Sequence, residues 1–140
     1  MTAPMPGPRV YDIDDANELI PTFEEAFGQL DGFRESLRTA KIKLNALEMI
    51  WGANLKKDDN PDHAEGLALV EEMKSLEEKF SGVVHKLNEL GATVKDLEDG
   101  LVDVYHVREG RLVFLCWKRG EEAFEAWHHV DAGFADRQAL

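Results

Sequence analysis

Leu101-Val102-Asp103-Val104-Tyr105-His106-Val107-Arg108, Glu109-Gly110, Arg111-Leu112-Val113-Phe114-Leu115-Cys116-Trp117 reads as two strands about a two-residue turn. β-branched and aromatic residues fill both runs, and Glu109-Gly110 sits where a tight hairpin turn belongs. Such a turn fixes the register: Arg108 opposite Arg111, Tyr105 opposite Phe114, and Asp103 opposite Cys116. Opposed residues share a face. One face then carries Asp103, Tyr105, Val107, Leu112, Phe114 and Cys116, and the other Val102, Val104, His106, Val113, Leu115 and Trp117. Both are largely apolar, so both need cover, one of them from helices.

Those helices lie upstream. Asp14 is a plausible N-cap, and Asp15 and Glu18 suit the positive end of a helix. Apolar residues follow at Leu19, Phe23, Ala26, Leu30, Phe33, Leu37, Ala40, Leu44, Leu47 and Trp51. The alternating steps of four and three are a heptad seam. Pro21 has no N–H to bond back to Asn17, which predicts a kink or a separate first turn. Asn60-Pro61 starts a second helix, with a capping side chain followed by proline. Its seam is Leu69, Met73, Leu76, Phe80, Val83, Leu87 and Leu90, and Gly91 stops it. His63 and His85 fall off the seam and read as exposed.

The fold class expected is therefore α+β: a long antiparallel helical hairpin, coiled-coil-like, with a small C-terminal antiparallel β-sheet. Residues 1–10 read as a disordered tail and 11–140 as a single domain, with helix one at 15–55, helix two at 61–90 and the β module at 93–140. The sheet is expected to pack on Leu19, Ile20, Phe23 and Phe27. Ile20, Phe27, Ile50, Val70 and Val84 widen the apolar stripe, which predicts a homodimer burying Phe27, Val70 or Val84. Phe124 to Val130 reads as a third strand in preference to a helix, which sets His128 and His129 on opposite faces. The end of the chain reads as a loop anchored by Phe134.

Composition narrows the function classes. Over 140 residues the formal charge is -12, which repels nucleic acid and anionic membranes at long range. Arg108 and Arg111 lie at the far end of a strand from Lys118 and Arg119, so no single basic patch offsets it, and nucleic acid is not an expected partner. No apolar run is long enough for a membrane span, and the start lacks the pattern of a signal peptide. One Cys allows no internal disulfide, and a cytoplasmic setting is expected.

The pairs Cys116-Trp117, Gly120-Glu121 and Trp127-His128, with Gly100-Leu101-Val102-Asp103, Gly133-Phe134 and Arg137, resemble a bacterial family known only by the domain-of-unknown-function label DUF2203. Ala16-Asn17 followed by Leu19-Ile20-Pro21 is similar to that family's opening. The resemblance covers nearly the whole chain and implies the fold, with no activity attached.

The residues themselves offer a ligand-binding set: Asp103, Cys116, Trp117, Glu121, Trp127, His128 and Arg137. Within it, Asp103, Cys116 and His128 supply the carboxylate, thiolate and imidazole that zinc or another divalent metal accepts, with a fourth position left open. The main expectation is a non-catalytic binding or oligomerisation module with a small-ligand pocket, whose Cys116 is a small buried hydrophobe and whose Asp103 pairs with Arg137. The alternative is a metal-binding protein or zinc-dependent hydrolase, and a Cys116 nucleophile with His128 as base ranks last. No cofactor is established by the sequence.

Overall fold

The computed structural model describes residues 9–140, so most of the expected N-terminal tail lies outside the described residues. The fold class is α+β, with a long bent helical stretch, a second helix and a five-stranded antiparallel sheet. The chain divides into two compact units, residues up to 27 with 84–140, and residues 28–83. Among the described residues, no helix is long and apolar enough to cross a membrane.

In the first unit, helix α1 (Ile13–Glu18) begins at Asp12, whose side chain accepts from the Asp15 N–H. The cap is thus Asp12 and not Asp14, because the helix starts two residues earlier than its acidic run suggests. The helix breaks at Leu19, and α2 (Ile20–Trp51) restarts with Pro21 in its first turn. This is the separate first turn that the missing proline N–H predicts. Helix α3 (His63–Glu89) ends in this unit, where the Gly91 N–H bonds the Asn88 carbonyl.

The sheet is a simple meander in the order β1-β2-β3-β4-β5. Its strands are β1 (Ala92–Asp96), β2 (Leu101–Arg108), β3 (Arg111–Lys118), β4 (Ala126–His129) and β5 (Gln138–Ala139). The β2–β3 register pairs Arg108 with Arg111, Tyr105 with Phe114 and Asp103 with Cys116, as a two-residue turn requires. Glu109 and Gly110 both take positive φ, 53° and 75°, which is the primed hairpin turn. β1 and β5 are edge strands that the sequence did not announce. The expected C-terminal loop is a short 3-10 turn, Phe134–Asp136, followed by β5.

One sheet face buries Val102, Val104, Val113, Leu115 and Trp117. Trp117 meets the rings of Phe23 and Phe27 with centroids 5.5 and 6.1 Å away, and Phe23 also meets Phe124. Helix one therefore covers this face, as expected, and Phe27 is spent within the chain's own core. It is not available to an interface. Asn17 gives a second tie, its Oδ1 accepting the Phe124 N–H at 2.7 Å. Gly100 sits at φ +72°, where an added Cβ would lie 2.5 Å from the Cβ of Arg119.

In the second unit, the seam residues Phe33, Leu37, Leu44, Leu47, Met73, Leu76 and Phe80 are only half-buried. A groove of about 380 Å³ is lined by Phe33, Leu37, Leu76 and Phe80, and another of about 370 Å³ by Leu44, Leu55, Leu67 and Val70. Around the connector, Trp51 Nε1 donates to Asp62 at 2.7 Å and the Asn60 side chain accepts the Asp62 N–H. His63 is half-buried with Nδ1 on the Leu55 carbonyl, not exposed as its place off the seam suggests, whereas His85 is exposed.

Candidate metal centre

The second sheet face carries the chemistry. β2 and β3 place Asp103 opposite Cys116, and β3 and β4 place Phe114 opposite His128. Asp103 and His128 are each 2% exposed and Cys116 1%. One ligand atom from each of the three lies within 4.8 Å of the other two. Three consecutive strands thus deliver a carboxylate, a thiol and an imidazole to one buried point. His129, on the opposite side of β4, packs edge-on against Trp127 and does not join them.

His128 is held at both nitrogens. Nδ1 lies 2.8 Å from the His129 carbonyl oxygen, and Nε2 lies 2.9 Å from Asp103 Oδ2. A carbonyl can only accept, so Nδ1 carries a proton. The Nε2···Oδ2 contact then needs one more proton, shared between imidazole and carboxylate. Tyr105 stacks on Phe114 at 4.6 Å, and Phe114 in turn packs against the His128 ring at 5.4 Å with the planes tilted by 43°, which restricts the plane of the imidazole.

Burial pushes the Asp103 carboxyl up from its ordinary value, opposed by His128, by the Cys116 thiol and by the charge of Lys95. Burial likewise pushes the Cys116 thiol up to about 12, helped by the neighbouring Asp103 and opposed by Arg137. In the metal-free protein Cys116 is therefore a thiol donating to Asp103. Such a thiol carries almost no thiolate at neutral pH, which disfavours the Cys116 nucleophile.

Arg137 departs from the expected pairing. Its guanidinium forks onto Glu121 at 3.3 and 3.4 Å, and Asp103 takes His128 in its place. Glu121 is itself fixed, accepting the Lys118 N–H at 2.6 Å through its carboxylate and the Trp117 Nε1–H through its carbonyl. Arg137, stacked on Phe134 at 4.4 Å, is thereby held beside the Cys116 sulfur. Trp117 and Trp127 lie on the helix-facing side, Trp127 under the Arg108 guanidinium at 4.9 Å. Neither reaches the cluster. Lys95, which the sequence did not single out, lines a cavity of about 170 Å³ together with Asp103, Cys116, Leu101 and Phe134. Its place on a polar edge strand carried no signal.

The donor set suits a soft divalent cation, since a thiolate and an imidazole select zinc-like ions and a carboxylate completes three ligands. Tetrahedral bonds of ~2.0–2.3 Å set ligand atoms ~3.3–3.8 Å apart. The Nε2···Oδ2 contact, now 2.9 Å, would open by ~0.4 Å as an ion replaced the shared proton, and a ligand-atom separation at the 4.8 Å limit would close by ~1 Å. The Nδ1–H on a backbone carbonyl is the usual support for a histidine that binds metal through Nε2.

The fold and site thus describe an α+β protein with a buried Asp-Cys-His cluster at the centre of a meander sheet. The chain belongs to the DUF2203 family of uncharacterized conserved proteins, matched over residues 9–140. No curated protein and no solved structure matches it.

Proposed function

We propose that this chain is a binding protein for a divalent transition metal, zinc or a close relative, held by Asp103, Cys116 and His128. The observation that supports it is the meeting of three different ligand types, from three adjacent strands, within 4.8 Å at a buried point. Well-packed apolar side chains would fill such a place at no greater cost, because taking ionisable groups out of water costs desolvation even when they are paired. Binding is favoured over hydrolysis, because among the described residues the cavity wall adds Lys95 and apolar residues but no further carboxylate or imidazole to act as a base. Elemental analysis of protein purified without an affinity tag tests the reading. About one zinc-like ion per chain is expected, and ion content unchanged in the triple Asp103/Cys116/His128 alanine variant would refute it.

A second reading concerns residues 28–83, as a coiled-coil-like helical hairpin that forms a homodimer. Ile42 and Met49, one heptad apart on α2, are 62 and 87% exposed, Ile50 beside them is 68% exposed, and Leu67 and Val70 are 56 and 47% exposed on α3. These exposed apolar side chains lie outside the seam, where a second copy of the same helices would cover them.

A further inference from the structure

Three protein ligands leave one position open, and the surroundings of that position have a definite character. Asp103 and Cys116 line the cavity of about 170 Å³, and the rest of its wall includes Lys95, Leu101, Ala132 and Phe134. Lys95 is placed by an irregularity of β1: it stands unpaired between Val94, the partner of Val102, and Asp96, the partner of Leu101, and it lines the cavity on the Asp103 face. Its ammonium lies 5.3 Å from the centre of the Phe114 ring, the ring that packs against His128. Its charge is felt at Asp103.

Charge bookkeeping then points one way. A divalent ion on carboxylate, thiolate and neutral imidazole is electrically balanced, and Glu121 balances Arg137. Lys95 is left as the excess positive charge at the cavity wall. Water occupies about 30 Å³ per molecule in the liquid, so the space suits a ligand of roughly five or six heavy atoms.

Resting on the metal reading above, we propose that the open position takes a small monocarboxylate, its anionic end binding the ion and Lys95. A short aliphatic tail lies against Leu101, Ala132 and Phe134. A carboxylate fits better than a larger polyanion, because one cation and apolar walls cannot neutralise several charges. An alcohol of the same size would leave Lys95 without a partner.

The full chain loaded with cobalt(II) tests this, with the visible bands of the ion as the readout and acetate, propionate, butyrate and propanol as probes. The carboxylates are expected to shift the bands saturably and propanol to leave them in place. Affinity should rise up to about fourfold for each added methylene. Lys95→Met should weaken propionate at least tenfold while cobalt affinity changes little, since Lys95 is exposed and is not a metal ligand. Cobalt bands that ignore all three carboxylates, or a Lys95→Met protein that binds propionate like the parent, would overturn the proposal and leave the metal reading standing. Absence of any cobalt spectrum would overturn both.

Discussion

Cys116 shows how one buried side chain ties stability to pH. Its thiol is held up at about 12 in the fold against 9.0 in the open chain. The native state therefore keeps a proton that the unfolded state gives up, and stability falls as pH rises from about 9 toward about 12. Between about pH 8 and pH 10 the loss should approach 1.4 kcal/mol, read as a falling urea midpoint. In Cys116→Ala that part of the slope should vanish. Burial also raises the Tyr11 hydroxyl, so Tyr11 adds a slope of the same sign at higher pH. The metal reading makes its own demand on the residue. Cys116→Ser should weaken zinc by more than the ~10–100-fold typical of losing a supporting hydrogen bond, whereas His129→Ala should change it little. Equal losses from His128→Ala and His129→Ala, read by competition with a chromophoric chelator, would contradict the geometry of β4.

At the scale of elements, the hairpin was legible because a two-residue turn leaves only one register, and that register sets Asp103 beside Cys116. The third member was harder. His128 reaches Asp103 only because β4 pairs with β3, and the segment before β4 is tied down by Phe124 N–H on Asn17, 107 residues away in sequence. No local pattern encodes that distance. β1 escaped notice for a different reason: its alternation spans only Ala92 to Lys95, with no large apolar side chain, and a bulge follows before Asp96, so it is too short to mark a strand. Arg137 was legible as a cation near the cluster but not as the partner of Glu121, because that choice depends on how Trp117 Nε1 fixes the Glu121 backbone. The turn between β1 and β2 offers a sharp test of the local account. Gly100→Ala places a Cβ against Arg119 at a positive φ, so thermal melting should show a loss of more than about 1 kcal/mol. An unchanged melting temperature would mean that the turn relaxes freely.

For the whole molecule, the two units carry separate expectations. The helical unit should dimerise, so light scattering at micromolar protein is expected to give twice 15.8 kDa. Met49→Lys with Ile42→Lys should return the monomer mass, and a monomer in the parent protein would sink the dimer. The sheet unit should gain stability from metal, by about 4 kcal/mol when the free ion stands at a thousand times its dissociation constant. The measurement that reaches the central claim most directly is proton release on titration with cadmium, a thiophilic ion whose bound water stays protonated at neutral pH. The shared His128–Asp103 proton and the Cys116 thiol proton must both leave as the ion enters. The account predicts about two protons released per ion at neutral pH, with one ion bound per chain. Release near one proton, or binding that persists without Asp103, Cys116 and His128, would contradict it.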